Sequence, residues 1–157
     1  MDTAYAAIGD PLGGSQIPQS LAWSTDPRRG TSLLTIMGGH TLAVLDHLAG
    51  EIAKVSAVVA NLHPEVIVTE TGERAVNGAP GQIALAGRLA SGGVISVTIQ
   101  GGSSTAGPDE FFVRLAGTEG ALMIRPQSGA YLNWAPFDVV LTLAHWYPGG
   151  SPAMNIH

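Results

Sequence analysis

Histidines are the residues of this sequence best suited to acid–base chemistry or metal binding, and it contains five of them. His40 and His47 are seven positions apart, so on a helix they share a face but are separated by about two turns, or roughly 10.5 Å. That separation is too large for both imidazoles to bind one metal ion, and no HExxH motif or carboxylate cluster accompanies them. The sequence also contains no cysteine. It therefore predicts no metal site.

His40 is the strongest candidate for a chemical role. It follows Gly38 and Gly39, whose lack of a Cβ atom would let a ligand approach the unpaired amides of a helix N-terminus. A neutral imidazole placed there could donate a hydrogen bond or act as a general base, although a structural or capping role is the commoner one at such a position. From the residues alone we favour the structural role for His40, whereas Gly39 is predicted to contact the substrate.

Other reactive motifs are missing from the sequence. No Gly-x-Ser-x-Gly segment indicates a serine nucleophile. The Gly-Gly pairs do not lie in the strand, Gly-x-Gly-x-x-Gly, helix context of a dinucleotide site, so they indicate turns. The sequence therefore predicts no cofactor. Its tryptophans and tyrosines could line an apolar ligand cavity, although packing in the core is their commoner fate.

The elements that would position these residues are one helix and several strands. Apolar residues recur with helical spacing from His40 to Ala49, and Gly50 is a typical helix stop. Strands are predicted at 52–62, 66–71, 82–89, 94–100, 111–116, 121–125 and 139–144. Two tight turns, Ser91-Gly92-Gly93 and Gly117–Gly120, predict antiparallel hairpins. The expected fold is α+β, with an open, largely antiparallel β-sheet and one main helix packed on one face.

Length and composition add the expected organisation. The 157 residues fit a single domain, 1–157, in which 1–32 would be an irregular arm and 33–157 the α+β unit. A net charge of −5 argues against binding to nucleic acid or to an anionic membrane. Charged residues make up 12% of the chain, against about 25% in ordinary soluble domains. So few charges predict a homo-oligomer, a dimer through the free sheet face, and the sequence shows no signal peptide, which favours a cytoplasmic location.

The segment Ser32–Glu51, SLLTIMGGHTLAVLDHLAGE, resembles a "LLTIxGGHxLDxLxxxLGE" stretch in the C-terminal domain of Gfo/Idh/MocA oxidoreductases, closest to the Gal80-like branch. Gln82–Gly102 and Leu115–Leu122 are similar to later strands of the same domain. The resemblance covers residues 20–125. It implies an α+β domain with a large open sheet that forms the substrate pocket and the subunit interface.

The departures from the family pattern bear on function. The family's N-terminal Rossmann domain and its Glu-Lys-Pro motif have no counterpart in this sequence. Active members carry aspartates at the positions of Ile36 and Ala43, and an Asp-Gln pair at the position of Gly81-Gln82. Only His40 and Gln82 remain from the polar set, and on this resemblance we predict that His40 is the catalytic residue. The resemblance therefore implies that the ancestral redox chemistry is lost and that the chain alone is not a nicotinamide-dependent dehydrogenase.

Three functions remain compatible with these residues. The chain could be a stand-alone, cofactor-free enzyme that catalyses a non-redox step such as isomerisation, dehydration or cyclisation. It could also be a non-catalytic binding or oligomerisation module, or the substrate-binding half of a sugar-type NAD(P)-dependent oxidoreductase. We favour the first, because Ile36 and Ala43 make the pocket more apolar and suit a hydrophobic small molecule better than a sugar. The predicted substrate-binding residues are Gly39, Gln82, Trp23, Trp134, Trp146 and Tyr131.

Overall fold

A computed structural model describes residues 1–10, 13–102, 111–127, 136–144 and 153–156. The strands in these ranges are β1 (Thr3–Asp10), β2 (Gln16–Ile17), β3 (Ile52–Ala60), β4 (Glu65–Val68), β5 (Arg74–Val76), β6 (Gln82–Leu89), β7 (Val94–Gly101), β8 (Phe111–Gly117), β9 (Gly120–Pro126), β10 (Phe137–Leu143) and β11 (Ala153–Ile156). The helices are 3₁₀-helices at Gln19–Thr25 and Pro27–Arg29, a π-helix at Leu34–Gly38 and the α-helix α1 (Gly39–Ala49). No helix in the described ranges is long and apolar enough to cross a membrane.

Eight strands form one large sheet in the order β11-β10-β9-β8-β1-β7-β6-β3. Strands β1 and β7 run parallel, and the other neighbouring pairs in this sheet run antiparallel. The predicted helix is present as α1, and both predicted hairpins form, between β6 and β7 and between β8 and β9. Gly92 supplies the positive φ, +94°, that the first of these turns requires. The predicted fold class, α+β with a largely antiparallel sheet, is confirmed.

The prediction of an irregular arm over 1–32 is wrong at its start. Thr3–Asp10 forms β1 in the middle of the large sheet, paired with β7 on one side and β8 on the other. Three of its eight residues are alanine, which is depleted in strands, so the local strand signal is weak. Pairing on both sides and burial decide its conformation instead: Ala4 and Ala6 are 1% and 0% exposed. From β2 onward the segment is irregular, with two short 3₁₀-helices.

One face of the large sheet carries α1 and the main core. Leu45 of α1 is fully buried and packs with Ile95, Val97 and Ile99 of β7 and with residues of β1, β6, β8 and β9. These strand residues alternate with outward-facing ones, as the period of two requires. On the opposite face, Ala84, Ala86 and Ser96 are exposed among the described residues, and Tyr5 lies against Phe112 with ring centroids 5.3 Å apart.

A second, smaller core lies beside the first. Strands β2, β4 and β5 form a three-stranded sheet, with β2 and β4 parallel. Ile17, Val66 and Val68 are its buried residues, and Leu21 of the first 3₁₀-helix packs against them. The loop after β1 therefore carries the chain from the centre of the large sheet to the small one.

Candidate functional site

A cavity of about 100 Å³ lies where the two cores meet. Ile17 and Val66 reach it from the small core, whereas Leu33 and Met37 reach it from the side of the large core. The remaining lining residues are Gly13, Gly14, Gln16, Leu21, Trp23, Ser24, Thr25, Thr31, Ser32, Ile36, Asn77, Ala79 and Pro80. The cavity is therefore built from segments that lie far apart in the sequence.

Three of the polar residues around this cavity, Ser24, Thr25 and Asn77, are already hydrogen-bonded within the protein. The hydroxyls of Ser24 and Thr25 each donate at 2.8 Å to a main-chain carbonyl one turn earlier. The buried Asn77 donates through Nδ2 to the His63 carbonyl at 2.9 Å and accepts from the Ala79 N–H at 3.0 Å. Since these groups have partners, the cavity presents a ligand with mainly apolar surface.

A carboxylate holds the 3₁₀-helix that forms one wall of the cavity. Glu70 Oε2, just after β4, accepts from the N–H of Gln19 at 2.7 Å and from the hydroxyl of Thr69 at 2.8 Å. The hydrogen bond from Gln19, and then the one from Thr69, lower the pKa of this carboxyl. The ionised carboxylate thus fixes the start of the helix that carries Trp23.

Trp23 and Ile36 lie at the rim of the cavity. Trp23 is 44% exposed, and its Nε1 donates to the Ser20 carbonyl at 2.9 Å. Ile36 is 42% exposed and belongs to the π-helix that runs into α1. Short π-helical turns inside helices occur frequently at functional sites. The side chain at the position of a family aspartate thus forms part of the cavity wall.

His40 does not line this cavity. It lies exposed in a groove of about 420 Å³ between α1 and the β9–β10 hairpin, together with His47, Ile124 and Phe137. Ile36 and His40 are four residues apart in continuous helix, so about one turn, or roughly 5.4 Å along the axis, separates the cavity wall from the groove.

Gly39 and Gln82 have different surroundings again. Gly39 lines a groove of about 290 Å³ together with Leu34, Leu42 and Ile83, and no atom lies within 4 Å of the place a Cβ would occupy. Gln82 donates through Nε2 to the Gly101 carbonyl at 2.8 Å and so joins the ends of β6 and β7. It lines none of these three cavities.

The predicted ligand-binding residues are thus dispersed. Trp23 reaches the cavity, whereas Gly39 and His40 line two separate grooves. Tyr131, Trp134 and Trp146 lie outside the described residues. Sequence reasoning missed most of the apolar lining residues because they come from different segments; it indicated only Trp23 and, through the family resemblance, Ile36. Within the described ranges, no three His, Asp or Glu side chains come together as a metal-binding group.

Comparison with known proteins identifies the domain. Residues 3–126 match the family model described as "Gal80p, C-terminal domain". No curated protein sequence matches the chain. A super-repressor mutant of Gal80p from Saccharomyces cerevisiae has a similar structure, with a TM-score of 0.82 and 19% identity, over 100% of this chain and 41% of that one.

Two oxidoreductases are also similar in structure. A levoglucosan dehydrogenase in complex with NADH and L-sorbose matches 99% of this chain over 40% of its own, with a TM-score of 0.78 and 16% identity. An NAD binding oxidoreductase from Klebsiella pneumoniae matches 99% of this chain over 39% of its own, with a TM-score of 0.76 and 19% identity. The chain therefore spans about two fifths of the length of these proteins.

These relatives correct the sequence-based hypothesis about activity. They are NAD-binding oxidoreductases and a Gal80p protein, and nothing among them points to an isomerase, lyase or cyclase. The hypothesis of a stand-alone, cofactor-free enzyme of that kind is therefore wrong. The resemblance read from Ser32–Glu51, in contrast, is confirmed. With 124 consecutive residues matched, from 3 to 126, the chain belongs to the family of Gal80p C-terminal-domain-like proteins.

Proposed function

We propose that this chain is the small-molecule-binding half of a Gfo/Idh/MocA-type protein whose nucleotide-binding half supplies NAD(P). Two observations support the division. The chain corresponds to about 40% of the oxidoreductases that it resembles, and one of those was solved with NADH and a sugar. The helix-bearing face also leaves Leu34, Ile36 and Trp23 more than a third exposed, as expected of a surface that meets a further domain.

The observation that carries the choice of ligand is the apolar cavity. A sugar needs a partner for each buried hydroxyl, because an unpaired hydroxyl transferred from water costs about 1–3 kcal/mol. The hydroxyls of Ser24 and Thr25 and the amide of Asn77 already bond to the main chain. A volume of about 100 Å³ suits a single small ring or a branched aliphatic group. The substrate would therefore place an apolar group in the cavity.

His40 would act on the part of the ligand that extends out of the cavity. A ligand that passes Ile36 by one helical turn comes within reach of the imidazole, which could orient it or exchange a proton with it. Gly39 would allow close approach at the same helix end. Gln82 would act indirectly, by holding the ends of β6 and β7 together. The nicotinamide of the other half would supply the redox step.

A second candidate is a ligand sensor without turnover, as in a regulator. The observation that favours it is the pair Ile36 and Ala43, which stand where active relatives carry aspartates. The two candidates share the binding site and differ in chemistry. Combining the chain with a nucleotide-binding half separates them, since only the oxidoreductase would oxidise NADH when a small apolar ketone such as cyclohexanone is added as the hydride acceptor.

Ligand binding can be tested on the chain itself. We expect saturable thermal stabilisation by small apolar probes such as cyclohexanol or p-cresol, and no response to glucose. Ile36→Asp should weaken the binding of these probes at least about tenfold, because it places a charge in the cavity wall. Leu62→Asp is the control. Leu62 is 63% exposed and lines neither the cavity nor the two grooves beside it, so this variant should bind the probes as the natural chain does.

Two results would overturn the proposal. Stabilisation by glucose but not by cyclohexanol would replace the apolar ligand with a sugar. No stabilisation by either, in a chain whose circular dichroism shows a folded sheet, would remove the cavity as a binding site. A His40→Gln variant that keeps full NADH consumption in the combined protein would remove His40 from the chemistry.

We also propose that a second copy covers the open face of the large sheet. On β6 and β7 this face carries small exposed side chains, Ala84, Ala86 and Ser96, on which a partner can pack closely. Ala86→Arg should lower the molar mass found by light scattering, and an unchanged mass would place the subunit contact elsewhere.

A further inference from the structure

Strand β3 forms one edge of the large sheet and is unusually open for an edge. It is nine residues long, pairs only with β6 among the described strands, and is exposed from 53 to 59. Val58, Val55 and Val59 are 72%, 49% and 44% exposed. Its outer side presents main-chain N–H and C=O groups that a further strand can bind.

Natural sheets protect such edges with charges, prolines, bulges or short strands. In β3 these protective features are confined to the start of the strand, where a bulge lies between Ile52 and Lys54. The next six residues, Val-Ser-Ala-Val-Val-Ala, contain no charge and no proline. The other sheet edges in the described ranges are short: β11 has four residues, β5 three and β2 two. The unprotected edge is thus specific to β3.

We propose that β3 pairs antiparallel, edge to edge, with β3 of a second copy of this chain, about a two-fold axis at Ala57. A two-fold axis perpendicular to the sheet keeps α1 of both copies on the same side of the joined sheet. Directly opposed residues of antiparallel strands point to the same face, and side chains alternate between faces along each strand. Both conditions hold only if the axis passes through a residue and not between two residues.

The residue pattern favours an axis at Ala57. Val55 then lies opposite Val59 of the partner subunit, which pairs apolar with apolar on the helix-bearing face. Lys54 lies opposite an alanine, and the two copies of Lys54 are about six residues, or roughly 20 Å, apart. If pairing continues past the strand ends, Glu51 lies opposite a histidine. In this register, pairing with a second copy places no two like charges opposite each other along the strand.

The absence of cysteine makes this arrangement directly testable. In Ala57→Cys the two new thiols face each other on the axis, so mild oxidation should produce a covalent dimer. In Ala60→Cys the thiols are about six residues apart, and the cross-linked yield should be at least about tenfold lower. A mixture of Lys54→Cys and Ala60→Cys chains should form a heterodimer, since these positions oppose each other.

The test separates edge pairing from stacking of the open faces. The Ala57 side chain lies on the helix-bearing face, opposite Leu85 in the register, so stacked open faces keep the two thiols apart. Efficient cross-linking of Ala57→Cys therefore supports edge pairing alone. Two results overturn the proposal. One is a protein that stays monomeric by light scattering, and the other is an equal yield of cross-linked dimer from Ala57→Cys and Ala60→Cys.

Discussion

At the residue scale, several polar side chains that could bind a ligand or act chemically instead form hydrogen bonds that stabilise the fold. Gln82 remains from the family's polar set, yet its amide bonds the Gly101 carbonyl. Asn77, only 7% exposed, donates through Nδ2 to the His63 carbonyl of the neighbouring loop and accepts through Oδ1 from the Ala79 N–H of its own loop. Ser24 and Thr25 bond to their own helix. The cavity is lined mainly by apolar residues, and these three polar residues of its wall direct their hydrogen bonds to the protein.

Glu70→Gln should weaken the attachment of the first 3₁₀-helix. The carboxylate accepts from the Gln19 N–H, and this lowers its pKa in the folded protein. A lowered folded pKa contributes stability above the unfolded pKa of about 4.3, and that contribution is lost as the pH falls through the folded pKa. The variant should melt at a lower temperature at pH 7 and at the same temperature as the natural chain in strong acid. An equal difference at both pH values would show that charge is not the cause.

Gly81→Ala should destabilise the crossing of the loop after β1 over the strand ends. A Cβ on Gly81 would lie 2.6 Å from the carbonyl oxygen of Gly13, a main-chain atom that cannot move aside by itself. Overpacking of this kind costs about 1–3 kcal/mol, measurable by urea unfolding. Gly39→Ala is the matched control, because a Cβ there meets no atom within 4 Å and alanine favours helix. Its stability should stay the same or rise.

At the scale of elements, local patterns predicted the hairpins and the helix, and long-range pairing decided the rest. Gly92-Gly93 and Gly117–Gly120 are short-range signals, so β6–β7 and β8–β9 could be read directly. Strand β1 could not, because its place depends on parallel pairing with β7, about ninety residues later. The cavity has the same origin: its walls come together only when both sheets have formed. The family resemblance indicated Ile36 as a wall, but not which residues face it.

A like-charge pair on β3 and β6 offers a test of the sheet register. Lys54 lies directly opposite Arg88, both are exposed, and neither forms an ion pair with a described residue. Arg88→Glu replaces repulsion with attraction and should raise the free energy of unfolding by about 0.2–1 kcal/mol at low salt. The gain should shrink at high salt because exposed charges are screened. In the double variant Lys54→Glu/Arg88→Glu repulsion returns, so the gain should vanish; additive effects would contradict the register.

At the scale of the whole molecule, the two cores differ in size and in what they hold. The large core joins α1 to five strands, whereas the small one has three buried residues and supports one side of the cavity. A single domain over 1–157 stays a prediction. Because the cavity lies between the cores, a ligand that fills it contacts both and should couple them.

Native-state hydrogen exchange can measure that coupling. Amides of Ile67 and Val68 in the small sheet should open at a lower free energy than those of Ile95 and Val97, since few buried apolar contacts hold them.

Leu45→Ala should lower the opening free energy of the β7 amides by about 2–5 kcal/mol, because it leaves a cavity in the large core. Cyclohexanol at saturation should slow exchange in the small sheet more than in β7, because it binds only the closed cavity. The opposite outcome is that the amides of both sheets open with the same free energy, both before and after the ligand is added. The two cores would then unfold as a single cooperative unit, and the ligand would not change how they are held together.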